Sequence, residues 1–203
     1  MDSTLSLPLR LAILVLCTLL WLIAYFFINR LQVEPQRRRN FSLPIDRKIP
    51  FVPAFAWVYF SIEVFVLHPF LILSDERQFY WMFTCFLLNT FIFSLIHVVL
   101  PSKVERLEQA NTGGIAGKMI RQWQKTCRPY GNFPSMHTGF SVPVVIANYM
   151  ALGVIAGSIT LVWAVLIALS TLFLKQHYII DVLAALALGM LVSALTFWMI
   201  WQF

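Results

Sequence analysis

The sequence predicts an all-α integral membrane protein, a bundle of six transmembrane helices forming one membrane domain over residues 1–203. Two observations carry this. Hydrophobic residues make up 60% of the chain and charged ones 12%, and the mean hydropathy is +0.77, far from the balance of a soluble domain. The apolar residues also fall in runs near the roughly 20 residues that a spanning helix needs, and short segments between them hold nearly all the charge. Backbone facing lipid must bond to itself, so each run is expected to be a helix.

The first run, Leu11 to about Asn29, is too long for the hydrophobic part of a signal peptide, and no small-x-small cleavage site follows it. It is expected to remain as an anchor. The six spans are placed at about 11–30, 51–73, 79–100, 138–156, 158–174 and 181–202. Pro50, Pro53, Pro69 and Pro143 mark span ends or kinks. Spans two and three are joined by the short turn Ser74 to Arg77, and spans four and five by a turn near Gly153 to Gly157. An even count puts both termini on one side, so the connections after spans one, three and five share the other.

Two of those connections are basic. The segment from Arg30 to Lys48 sets Arg30, Arg37, Arg38, Arg39, Arg47 and Lys48 against Glu34 and Asp46. The interfacial loop 101–137 sets Lys103, Arg106, Lys118, Arg121, Lys125 and Arg128 against Glu105 and Glu108. The positive-inside rule assigns both to the cytoplasm, although basic residues serving a phosphate site would distort that count. Within the loop, Ile115, Met119 and Trp123 recur at helical spacing and predict a short helix lying in the interface. The string GGIAGK lacks phosphate-loop glycine spacing, and Met119 stands where Ser or Thr is needed.

Cys17, Cys85 and Cys127 are odd in number and suggest neither a disulfide framework nor a redox compartment. The net charge of +6 would suit nucleic acid, but so apolar a chain has hardly any water-facing surface to carry a basic face, so no nucleic acid is expected. Membrane lipids are the expected partners, with lipid phosphates as the acidic groups. Oligomeric state is not encoded in these features.

Polar chemistry collects at the ends of spans four to six. Arg121, Lys125 and Arg128 lie in the loop, Ser135 and His137 open span four, and Lys175, His177 and Asp181 join spans five and six. A helix running from His177 would make His177 and Asp181 neighbours at i and i+4, so the carboxylate could orient the imidazole. The free ring nitrogen is then a competent nucleophile toward phosphorus, and His137 can protonate the departing oxygen. Arginines match phosphate oxygens and stabilise their charge. Pro134 and Ser135 read as a helix start, with Ser135 as cap and the helix N-terminus aimed at the same anion. Nothing here requires a metal or another cofactor. A zinc site from Cys127, His137, His177 and Asp181 lacks recognisable ligand spacing.

Taken singly, these histidines would read as satisfied interfacial side chains. Lys125 competes with Arg121 as second phosphate ligand, since it can instead face lipid head groups. Lys175 is either a phosphate ligand or a snorkelling cation. Glu63 and His68 in span two, and His97 at the end of span three, are intramembrane ionisable residues and therefore also candidates.

Together, Arg128-Pro129, Pro134-Ser135-Met136-His137 and Ser170-Thr171 followed by His177 and Asp181 resemble the three signature motifs of the type 2 phosphatidic acid phosphatase superfamily, KxxxxxxRP, PSGH and SRxxxxxHxxxD. The stretches KQHYIIDV, from Lys175, and DRKIPFVP, from Asp46, are most similar to the branch of inositol- and sphingolipid-type phosphotransferases. The resemblance covers roughly residues 45–190. It implies a six-helix, metal-independent fold in which His177 forms a phosphohistidine, Asp181 orients it, His137 is the acid and Arg128 holds phosphate. Three positions depart from the pattern. Arg121 stands for the motif lysine, Met136 for the glycine, and Thr171 for the third-motif arginine, whose charge Lys175 can replace.

The resemblance implies a membrane lipid phosphatase acting on a lipid phosphate or lipid diphosphate. Its alternatives are a phosphotransferase using a hydroxyl acceptor and a non-catalytic lipid-binding or transport protein, the last prompted by Thr171. The expected location is multi-pass, in a bacterial inner membrane or a eukaryotic endomembrane.

Overall fold

The computed structural model describes residues 4–31, 37–106 and 113–202; Glu34 and Glu108 of the two basic connections lie outside them. The described chain is helical, with α1 Leu7–Arg30, α2 Ala56–Tyr59, α3 Ile62–Leu67, α4 Pro69–Ile72, α5 Glu76–Val99, α6 Gly114–Thr126, α7 Met136–Phe173 and α8 Ile179–Trp201. Five stretches are long and apolar enough to cross a membrane: α1, the run Pro53–Ile72 that contains α2 to α4, α5, α7 and α8. This makes the protein a membrane-embedded helical bundle.

α1 begins a turn earlier than the apolar run, because Pro8 suits the first helical turn, where its missing N–H costs nothing. The second stretch is broken into short helices. Ser61 donates its hydroxyl to the Val58 carbonyl at 2.6 Å, competing with the helix ladder, and Pro69 lacks the N–H to continue one. α5 starts before Phe79 because Asp75 is its cap, accepting from Gln78 N at 2.8 Å. α6 forms where Ile115, Met119 and Trp123 predicted a short helix, but the residues it buries are Gly117 and Ile120, and Ile115 is exposed.

α7 covers both runs placed at 138–156 and 158–174, and it breaks at Gly153, where φ is 81° and ψ is −173°. An unbroken helix would put residues 148 and 163 roughly 22 Å apart. His68 nevertheless reaches both, with Asn148 Nδ2 donating to its Nε2 at 2.9 Å and Trp163 stacked at a centroid distance of 6.2 Å. The ends meet likewise: His137 packs on Tyr59 and Phe173 on Phe55, each at 4.6 Å. The two halves of α7 therefore lie side by side, doubled back at Gly153, a backbone conformation that L side chains rarely adopt.

The interior is aromatic and close-packed, with Phe65, Phe70, Phe79, Trp81, Phe86, Phe93 and Phe140 buried. Large apolar side chains such as Ile23, Phe91, Val154, Ile155 and Trp198 point outward, as lipid-facing surfaces require. α7 and α8 approach through glycine: a Cβ on Gly189 would stand 2.6 Å from the Gly139 carbonyl oxygen, the small-residue packing typical of membrane helices.

Candidate active site

Three connections meet at one end of the bundle. Arg39 N donates to Pro101 O at 2.8 Å and Lys103 N to Arg39 O at 2.9 Å, joining the first to the second. The third is joined to the first through Lys175, whose ammonium donates to the carbonyls of Asp46, at 2.8 Å, and Ile49. At the opposite end, Leu5 N donates to Ser74 O.

The loop from Leu174 to Tyr178 presents His177. The N–H groups of Gln176 and His177 both donate to Thr171 O, at 2.9 and 3.2 Å, which curls the chain off the end of α7. Lys175 takes a left-handed φ of 54° within this turn. α8 does not run from His177, as the spacing suggested; it begins at Ile179. Two carboxylates fix that start, Asp181 Oδ2 accepting from Tyr178 N at 2.8 Å and Asp46 Oδ1 from Ile179 N at 2.9 Å. Both acids also favour the positive end of the helix. Buried Asp46 thus gives the DRKIP stretch a structural task.

His177 Nδ1 stands 3.4 Å from Asp181 Oδ2. The pair is in ion-pair range, with Asp181 1% exposed and His177 7%, but Nδ1 makes no hydrogen bond. The His137 and His177 rings are 5.6 Å apart, edge to face. Both line a pocket of about 500 Å³, its open mouth included, together with Arg106, Arg128, Asn132, Met136, Gln176 and the aromatic residues Tyr25, Tyr59 and Trp123. Several buried polar atoms around it have no partner: His137 Nδ1, His177 Nδ1, Asp181 Oδ1, Asn132 Oδ1 and Arg106 Nε. Unsatisfied groups concentrated in this way suit the binding of a polar ligand.

Of the residues singled out in the sequence, the pocket gathers His137, His177 and Arg128, with Asp181 directly behind His177. Ser135 is the N-cap of α7, but its hydroxyl caps no N–H and instead accepts from Thr138 Oγ1 at 3.4 Å. Arg121 and Lys125 lie on α6 outside the pocket lining, Lys125 exposed. Lys175 lies outside it too, bound to backbone carbonyls, and burial lowers its pKa against the opposing charge of Asp46. Thr171 is fully buried and donates its hydroxyl to Ala168 O. Burial pushes the Cys127 thiol pKa up, the opposite of nucleophile activation. Among the described residues no three His, Cys, Asp or Glu side chains converge as a metal site.

Other pocket residues carried little signal in the sequence. Asn29, in the last turn of α1, clamps Arg128 by its backbone, accepting from Arg128 N at 2.9 Å and donating to Arg128 O at 3.1 Å. His97 Nε2 donates to Pro134 O at 3.0 Å, tying α5 to the start of α7. Asn132 donates to Gln176 O, joining the two histidine-bearing segments. Only the rarity of polar residues in apolar runs marked Asn29 and His97; Arg106 was one of many loop cations.

A helical membrane protein with paired histidines, a buried carboxylate and an arginine around one pocket is equipped for phosphoryl chemistry. Residues 104–203, just under half of the chain, match the family model described as PAP2 superfamily, so this part of the chain is similar to that superfamily. The matched half contains all three histidine and arginine motifs. The chain is also similar to a PA-phosphatase related-family protein of Dictyostelium discoideum, 26% identical over 165 residues, covering 68% of this chain and 29% of the relative. The chain thus spans under a third of that relative's length. No solved structure gives a significant match.

Proposed function

We propose that the protein is a lipid phosphatase that hydrolyses a phosphomonoester or diphosphate of an amphiphilic substrate through a phosphohistidine, without a metal. The observation that carries this reading is the meeting of His137, His177 and Arg128 in one pocket, with the buried Asp181 carboxylate 3.4 Å behind His177. Arg128 grips the phosphate. The His177 nitrogen remote from Asp181 attacks phosphorus while the P–O bond to the lipid breaks, and His137 gives its proton to the departing oxygen. Water, losing a proton to His137, then attacks the phosphohistidine; the P–N bond breaks, and phosphate and free His177 result. Arg121 and Lys125 on α6 draw anionic head groups to the pocket. In this reading the two halves of α7 are separate spans, six in all, which puts the Gly153 turn on the face opposite the site.

A phosphotransferase shares the first half-reaction and differs in its acceptor. Asn132 favours it, since Oδ1 is buried without a partner in the pocket lining and could accept from an incoming hydroxyl. Phosphate release by purified protein in detergent with EDTA, on phosphatidic acid, phosphatidylglycerophosphate and polyprenyl diphosphate, tests both readings. Release by wild type and not by His177→Ala supports the phosphatase. Equal release by the two sinks the phosphohistidine, and head-group exchange without release favours transfer.

A further inference from the structure

We propose that Arg106 is a second phosphate-binding guanidinium of this site and supplies the charge absent at Thr171. The inference rests on the phosphoryl-transfer reading above and concerns a residue outside all three motifs. Thr171 cannot serve, being fully buried with its hydroxyl bonded to Ala168 O. Lys175 is turned onto the Asp46 and Ile49 carbonyls and lies outside the pocket lining. Among the described residues, Arg106 and Arg128 are the guanidiniums that line the pocket beside His137 and His177.

Arg106 is held in place from its own side. Its Nη1 donates to Cys127 O at 2.6 Å and its Nη2 to Arg128 O at 3.4 Å. A guanidinium has five N–H donors, so these bonds leave others for a ligand, and Nε is buried with no partner. Among the described residues no carboxylate lies within ion-pair range of it. A half-buried cation with a buried, unpartnered Nε and no carboxylate partner among the described residues is costly unless an anion completes it. Burial pulls its pKa down, the direction that a bound phosphate would reverse. Arg106 also donates to the Arg128 carbonyl, so the two arginines meet at one backbone corner of the pocket lining, and guanidinium donors suit phosphate oxygens.

The test uses full-length protein in detergent, with orthovanadate as the probe of the phosphate subsite. It is followed by thermal shift, which needs no turnover, and by inhibition of phosphate release. Arg106→Gln is expected to weaken orthovanadate binding at least tenfold, and Arg106→Lys by less than Arg106→Gln, since lysine keeps the charge but not the planar fork. Asn29→Ala removes another hold on the Arg128 carbonyl without removing charge, and so reports a purely scaffolding role. If Arg106→Gln binds orthovanadate as wild type does, the proposal is overturned while the phosphatase reading stands. If Arg106→Lys is as weak as Arg106→Gln and Asn29→Ala weakens binding equally, Arg106 only positions Arg128, and the proposal is again overturned. Wild type that binds orthovanadate but releases no phosphate would sink the hydrolytic reading alone, and the variants still decide the role of Arg106. Wild type that does neither overturns both.

Discussion

His137 has a buried, unpartnered Nδ1 and a ring that packs against the rings of Tyr59 and His177, so ring contacts orient it. As the acid proposed for the leaving oxygen, it should matter most when that oxygen is basic. His137→Gln is expected to lower kcat by ~10²–10⁴ on a lipid alkyl phosphate and far less on an aryl phosphate, whose leaving group needs no proton; an equal loss on both would remove it from that role. Met136 is the residue-scale departure most open to test. It lines the pocket where the resembled motif has glycine, so Met136→Gly should widen the cavity and improve turnover of bulkier phosphorylated lipids relative to small ones. A substrate panel with an unchanged rank order would count against it.

At the scale of elements, the site depends on joints between helices more than on the helices themselves. Asn29 at the end of α1 holds Arg128 through two part-buried hydrogen bonds, and a bond of this kind contributes about 0.5–1.5 kcal/mol. Asn29→Ala should lower thermal stability in detergent accordingly. The start of α7 and the loop leading into α8 present His137 and His177 together, and the two helices approach closely at Gly139 and Gly189. A Cβ at residue 189 would press on the Gly139 carbonyl, so Gly189→Leu is expected to destabilise the protein by about 1–3 kcal/mol through overpacking. Phosphate release should fall as the helices are forced apart. A stable, fully active variant would show that this crossing does not set the site.

For the whole molecule, the doubled-back α7 makes a prediction about topology. Arg47 and Lys125 stand near the site, whereas Ser74 and Ile155 lie toward the other end, and all four are exposed. Single cysteines at these positions, with Cys17, Cys85 and Cys127 replaced by serine or alanine, should label in sealed vesicles as two opposed pairs: 47 with 125, and 74 with 155. Labelling of 155 from the same side as 125 would refute six spans. The native Cys127 is a poor reporter for this purpose because it is only 1% exposed.

The chemistry-bearing residues were legible because they sit within short motifs. The order of Arg128, His137, His177 and Asp181 along the chain needs only local spacing, and the apolar runs announce helices through the demand that lipid makes on backbone hydrogen bonds. The sequence by itself therefore determined a helical membrane protein with two histidines and an arginine at one end. Tertiary structure decided the rest, because these features depend on contacts across long stretches of chain. It set where α8 begins, since a carboxylate from Asp46, 133 residues before Ile179, caps that helix. It turned Lys175 onto backbone carbonyls, which no local pattern encodes. It brought Arg106 and Asn29 to Arg128, which lies 22 and 99 positions away from them. Spacing along one helix can be read from a sequence, whereas the meeting of separate helices is fixed only when their side chains pack.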